Sequence, residues 1–198
     1  KIARPLYAGD ELGLDLKNTV YALDASTIDL CFSVFPWALF RSTKSAVKLH
    51  TLLDLRGNIP SFVHISEGKL HDVNALDMII PEAGSSFYVM DRGYLDFERL
   101  FSLNNAGAFF VIRSKNNILF KRRYSSPVEK TNGIRCDQTI RLTGLNTKNK
   151  YPKPLRRVKY HDNETNKTLN LLTNNEVIPA QTVADLYRYR WKEELFFK

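Results

Sequence analysis

The sequence predicts an α/β fold, a mixed sheet flanked by helices and interrupted late in the chain by a β-rich basic insertion. Three observations predict it. Between residues 20 and 113, apolar β-prone runs alternate with segments of helical period. Short period-2 segments separated by Asn, Gly, Lys and Pro follow, from Ile118 to Tyr160. The chain then returns to one apolar run, Leu169–Thr173, and closes on a strongly amphipathic helix. The order is β-β-β-α-β-α-β, a β-rich insertion, then β-α.

Each element has a local cause. Val20-Tyr21-Ala22-Leu23 is a short β-prone run ending at Asp24. Val47 to Leu55 alternates as a strand, Arg56-Gly57-Asn58 is a turn signal, and Ile59 to Ile65 reads as the hairpin partner. Asp72 can cap a helix running to about Ile80. Phe87-Tyr88-Val89-Met90 is a buried-type strand that also ends in an aspartate, Asp91. Asp96 to Ala106 reads as a helix and Ala108 to Arg113 as a strand. Within the insertion, Ile118 to Phe120, Ile134 to Leu142 and Val158 to Tyr160 are short strands. Ala180, Val183, Tyr187, Trp191 and Leu195 recur at spacings of three and four, which predicts a helix over Pro179–Lys198.

With 198 residues, 43% hydrophobic and 25% charged, the chain has enough apolar content for one well-cored domain with a small insertion. Collagen-like, coiled-coil and wholly disordered classes are excluded. No apolar run approaches the roughly 20 residues that span a bilayer, so no membrane partner is expected. Two cysteines, Cys31 and Cys136, make a poor disulfide framework, which points to a reducing cytoplasm. The opening Lys1 and the stop inside a helical pattern are those expected of a piece of a longer protein, with residues 1–17 the tail of an upstream region.

The net charge of +8 is unevenly placed. Residues 113–167 hold 15 Lys and Arg against four acids, whereas the rest of the chain is net acidic. Concentrated positive charge of this kind is the footprint of a surface that meets phosphate. Lys121, Arg122 and Arg123 form its densest run. A basic surface segment can also serve solubility alone, and charge does not decide between the two.

Three acids are candidates for chemistry. Two β-runs, VYAL and FYVM, are each closed by a single aspartate, Asp24 and Asp91. If the runs are neighbouring parallel strands, both carboxylates emerge at one sheet edge, where α/β sheets place ligands. Aspartate also ends strands simply because it makes turns. On the last helix Glu194 follows Tyr187 by seven positions and returns within about 20° of it, with Arg190 on the same stripe. That face combines an aromatic hydroxyl, a guanidinium fork suited to phosphate, and a carboxylate; an exposed i,i+4 pair between Arg190 and Glu194 is the plainer reading. Three carboxylates around one point need a cation between them, and hard divalent ions take such oxygen ligands. Two such ions can activate a nucleophile and stabilise the leaving oxygen of a phosphodiester. The four histidines have no paired metal spacing, neither cysteine lies in a CxxC, and there is no P-loop, GxGxxG or GxSxG. These absences argue against a zinc site and leave nucleotide-loop and serine-hydrolase readings without a motif.

Taken together, YALDAST with Asp24, KLHTLLDLRGNIPSFVHISEGKLHD, YVMDRGY with Asp91 and YRYRWKEELFFK resemble the DDE transposases of insertion sequences. The resemblance is to the group whose final catalytic helix carries Tyr-x2-Arg-x3-Glu-x6-Lys. Tyr187, Arg190 and Glu194 match its spacing, and its lysine would fall three residues beyond Lys198. The resemblance implies an RNase H-like core in residues 18–114 and 168–198, with the insertion at 115–167. It implies Asp24, Asp91 and Glu194 as catalytic metal ligands for Mg²⁺, with Mn²⁺ able to substitute and two ions in the site. It implies cutting of double-stranded DNA at transposon ends and joining of the 3′ hydroxyl to target DNA, by a homodimer in the bacterial cytoplasm and nucleoid. Tyr187, Arg190, Lys121, Arg122 and Arg123 are the expected DNA contacts. A stand-alone RNase H-like Mg²⁺ nuclease and an inactive DNA-binding remnant are the alternatives.

Overall fold

A computed structural model describes residues 13–14, 16–42, 44–78 and 86–190. Among the described residues, ten strands form a single mixed sheet. They are β1 (Val20–Leu30), β2 (Leu39–Arg41), β3 (Lys44–Asp54), β4 (Ile59–Glu67), β5 (Phe87–Met90), β6 (Phe109–Arg113), β7 (Phe120–Ser126), β8 (Ile134–Leu142), β9 (Leu155–Asp162) and β10 (Lys167–Thr173). Two α-helices, α1 (Phe97–Asn105) and α2 (Ala180–Tyr189), and a 3-10 turn over Asp72–Met78 pack on it. The strand order is β2-β3-β1-β5-β6-β10-β9-β8-β7, with β4 also paired to β3. β1, β5 and β6 run parallel to one another, and β3, β4 and β10 complete the neighbourhood as antiparallel partners. This mixed α/β arrangement is that of an RNase H-like fold.

Both faces of the central strands are buried, as parallel strands require. Along β1 and β5, successive side chains alternate between two cores. Val20, Ala22, Phe87 and Val89 pack with Val183, Ala184, Leu186 and Tyr187 of α2. Tyr21, Leu23, Tyr88 and Met90 pack with Phe97, Leu100 and Leu103 of α1 and with Ala75 and Leu76 of the 3-10 turn. The sheet is therefore a shared partition, with α1 on one side and α2 on the other. Asp96 starts α1 by accepting hydrogen bonds from the backbone N–H groups of Glu98 and Arg99.

Several elements differ from the sequence expectation. β1 does not end at Asp24; it continues to Leu30 because its other edge stays paired to β3 as far as Leu30↔Ser45. The segment after Asp72 is a 3-10 turn ending at Met78 rather than a helix to about Ile80, as far as the described residues extend. β2 is an additional strand of three residues with no sequence signal of its own. β7 begins at Phe120, where Ile118–Phe120 was the expected strand, and β9 extends beyond Val158–Tyr160 at both ends. In the β3–β4 turn the positive φ falls on Asn58 (51°), a residue that tolerates the left-handed region, rather than on Gly57.

The segment 115–167 contributes β7, β8 and β9 to the same sheet, where β9 hydrogen-bonds to β10 and β10 to β6. Its basic residues do not all face outward. Arg156 is buried, makes two hydrogen bonds to Asp137 (2.8 and 2.7 Å), and donates to the Ile178 carbonyl at 2.6 Å. Arg157 is half-buried and bonded to Gln138 and Asn170. The positive charge open to a partner is correspondingly smaller than the composition implies.

Candidate active site

β5 is wholly buried and short, so the chain leaves the sheet as soon as it reaches a residue that must meet water. That residue is Asp91. The following Arg92–Tyr94 turn is closed by the Tyr94 N–H donating to the Asp91 carbonyl at 3.1 Å, and the Tyr94 ring is buried in the α1-side core. The aspartate is thus held between a buried strand and an anchored turn.

Register then places Asp24 beside it. The parallel pairing Val20↔Phe87 through Leu23↔Met90 stops one residue short of both aspartates. Asp24 and Asp91 therefore occupy the next positions on adjacent strands, where strand axes lie about 4.8 Å apart. Asp24 itself remains inside the β1–β3 ladder opposite Thr51, and its Oδ1 accepts from the Ala25 N–H at 3.0 Å.

The third element is α2. Its apolar stripe seats on the sheet, and Tyr187 and Arg190, three residues apart, emerge over the two carboxylates. The Tyr187 hydroxyl donates to Asp91 Oδ1 at 3.0 Å, and Arg190 Nη1 donates to Asp24 Oδ2 at 3.0 Å. The guanidinium carbon lies 5.5 Å from the Tyr187 ring centroid, a cation–π distance. Both side chains are nearly buried, at 2% and 5% exposure, so neither is an ordinary surface residue of a helix. Burial pushes the Tyr187 hydroxyl up to about 12, with Arg190 opposing and Asp91 reinforcing the shift and Arg113 also opposing. At neutral pH this hydroxyl is a proton donor.

Asp24, Asp91, Tyr187 and Arg190 are brought together. Glu194 lies outside the described residues. Lys121, Arg122 and Arg123 are not at this point: they sit exposed on β7, five strands from β5, or roughly 24 Å across the sheet at the usual strand spacing. Arg190 is buried and paired with Asp24, and the Arg190–Glu194 pair the sequence offered lies outside the described residues.

Two further contributors lie around the site. Asp72, read from the sequence as a cap, forms an ion pair with Lys48 at 2.9 Å, and its Oδ2 lies 3.7 Å from where a Cβ on Gly93 would stand. It backs the turn that follows Asp91. The Arg156–Asp137 pair ties β8 and β9 to the Ile178 carbonyl just ahead of α2, and so fixes where that helix starts. Along β8, Asp137 shares its parity with Arg135, Thr139 and Arg141 and not with Ile134, Ile140 and Leu142, so alternation alone predicts an outward carboxylate.

The chemistry of the donor set fits a hard divalent cation. Asp24 and Asp91 bring two carboxylates onto adjacent strands, and Mg²⁺ is held through one or two carboxylates plus substrate phosphate. Among the described residues, no group of three or more His, Cys, Asp or Glu side chains is placed to hold a metal ion. No helix among them is long and apolar enough to cross a membrane.

Comparison with known proteins places these residues in context. A family model described as the transposase DDE domain matches residues 15–198. A Sinorhizobium fredii protein named as a transposase, y4zB, is 33% identical over 168 residues, covering 82% of this chain and 46% of that protein. A Geobacillus stearothermophilus protein, named as a transposase for insertion sequence element IS5377, is 28% identical over 178 residues, covering 89% of this chain and 46% of its own length. The chain spans about half the length of both relatives.

Proposed function

The chain belongs to the transposase DDE-domain family, and on that premise we propose that it is the catalytic core of a DNA transposase that cuts phosphodiester bonds at transposon ends and joins the 3′ hydroxyl to target DNA. The observation that carries the reading is the meeting of Asp24 and Asp91, through parallel register, beneath Tyr187 and Arg190 of one helix.

In this reading Asp24, Asp91 and Glu194 hold Mg²⁺, or Mn²⁺ in its place. Two bound ions would polarise the phosphodiester, supply a nucleophilic hydroxide and stabilise the leaving oxygen. The chain's own residues do the rest. Arg190 offers its fork to non-bridging phosphate oxygens beside the scissile bond. The Tyr187 hydroxyl, kept protonated by burial, donates a hydrogen bond there or steadies Asp91. The exposed β7 residues Lys121, Arg122 and Arg123 meet the duplex backbone away from the cut, adding affinity without sequence selection. A homodimer in the bacterial cytoplasm, bringing two transposon ends together, completes the proposal.

The test is single-turnover cleavage of a matched transposon-end duplex in Mg²⁺ by the full-length protein, with binding followed separately. Asp24→Ala, Asp91→Ala and Glu194→Ala should each abolish cleavage and leave binding largely intact. Cleavage without strand transfer by the unaltered protein would favour a stand-alone nuclease, and binding without cleavage would favour a DNA-binding remnant.

A further inference from the structure

The pairing of β1 with β3 sets Thr51 directly opposite Asp24. Directly opposed residues of an antiparallel pair project to one face, with Cβ atoms about 4.5–5.5 Å apart. That face is the α2 side: Val20 and Ala22 precede Asp24 in one row, Leu55 and Leu53 precede Thr51 in the next, and all four apolar residues pack in the cluster that contains Tyr187. The neighbouring His50 points the other way and stacks on His64, as alternation requires.

Thr51 is fully buried, at 0% exposure, and among the described residues its Oγ1 has no hydrogen-bond partner. A buried hydroxyl without a partner is costly, and each case in a native fold calls for a reason. Valine has the same shape and would suit this strand and this burial better. Packing therefore gives no cause for a threonine here, while the carboxylate across the ladder does.

We propose that Thr51 is a positioning residue for Asp24: in the ion-bound site its hydroxyl donates to the Asp24 carboxylate and fixes the orientation in which that carboxylate meets the cation. A hydroxyl can turn its proton to suit an acceptor, and partners that orient a ligating carboxylate tune the site as the ligands themselves do. In the state described here Asp24 is engaged by Arg190 and by the Ala25 N–H. When Arg190 turns to a phosphate, the hydroxyl takes over the orienting contact. The inference rests on the reading of Asp24 as a metal ligand.

The experiment titrates Mn²⁺ alone into the full-length protein by calorimetry, with melting curves in EDTA, for Thr51→Val, Thr51→Ser, Thr51→Ala and Asp24→Ala. Thr51→Val should weaken Mn²⁺ binding by about tenfold while melting no earlier than the unaltered protein without metal. Thr51→Ser should bind close to the unaltered affinity, and Asp24→Ala should lose the site. If Thr51→Val does not fold, Thr51→Ala gives the same affinity comparison. Unchanged affinity in Thr51→Val, or in Thr51→Ala, alongside loss in Asp24→Ala overturns the role of Thr51 and leaves the site standing. Unchanged affinity in Asp24→Ala overturns the reading of the carboxylate itself.

Discussion

Arg190 and Asp24, 166 positions apart in the sequence, meet through Nη1 and Oδ2 at 3.0 Å with the guanidinium almost wholly buried. Three residues earlier on the same helix, Tyr187 makes the corresponding contact to Asp91. The helix therefore bridges two strands by their carboxylates. A cationic group thus neutralises the Asp24 carboxylate here, and in the proposed metal-bound site Arg190 would be free to turn to phosphate.

Arg190→Ala is expected to act twice. Without metal, the loss of a charge-assisted bond should lower stability by about 2 kcal/mol, read as an earlier melting transition in EDTA. With metal, cleavage should fall to a similar extent on every end sequence, because phosphate is common to all. Arg190→Lys should recover part of the activity, since a point charge cannot reproduce the fork. Full cleavage by Arg190→Ala would leave the residue a structural counter-ion only.

Tyr187→Phe keeps the ring in the α2-side core and removes the donor to Asp91. A loss of about 1.5–3 kcal/mol is expected for a hydrogen bond to a charged group, whereas Tyr187→Ala should cost more by also emptying the packed site. The hydroxyl is held up to about 12 against an ordinary value of about 10. The folded state therefore prefers it protonated. That preference contributes in full below about pH 10 and is lost as pH rises toward 12. Alkaline unfolding curves of the two proteins should converge over that window, and parallel curves would show the hydroxyl to be uncoupled from folding.

Much of this was open to reading in advance, and the exceptions have physical causes. β5 with Asp91, β8, the Asp96 cap of α1 and the helical stripe carrying Tyr187 and Arg190 follow local patterns of period and capping. The seven residues of β1 from Asp24 to Leu30 do not, because Ala25-Ser26-Thr27 carries little apolar signal and the strand is kept by pairing to β3 alone. The inward use of Arg156 was hidden for a related reason: a guanidinium is read as surface charge until its partner, Asp137 on the neighbouring strand, is in place. Thr51 was hidden because only the register of β1 against β3 puts it beside Asp24.

The Arg156–Asp137 pair is buried on both sides, with side-chain exposures of 9% and 10%. Asp137→Ala should leave the guanidinium uncompensated and destabilise the chain by about 3–5 kcal/mol. Exchanging both for apolar residues of similar volume should restore much of that loss. Chemical denaturation of the single and double variants measures it, and a cost below about 1 kcal/mol, the range of an exposed pair, would remove the pair from the support of α2.

Lys121→Glu, Arg122→Glu and Arg123→Glu together should weaken DNA binding across sequences. They should also flatten the dependence of log affinity on log salt by about 0.9 for each phosphate contact removed. Fluorescence anisotropy over a salt series measures the slope. An unchanged slope would place this run of β7 against solvent.

The central claim, that the register-paired aspartates hold the reaction's metal ion, is tested most directly by changing the ligand and the metal together. Asp91→Cys replaces a hard oxygen donor with sulfur, which Mg²⁺ disfavours and softer divalent ions accept more readily. Single-turnover cleavage of a transposon-end duplex by this variant should be lost in Mg²⁺ and regained in part in Mn²⁺. Cleavage in Mg²⁺ at the unaltered rate, or the same residual rate in both metals, would contradict the account.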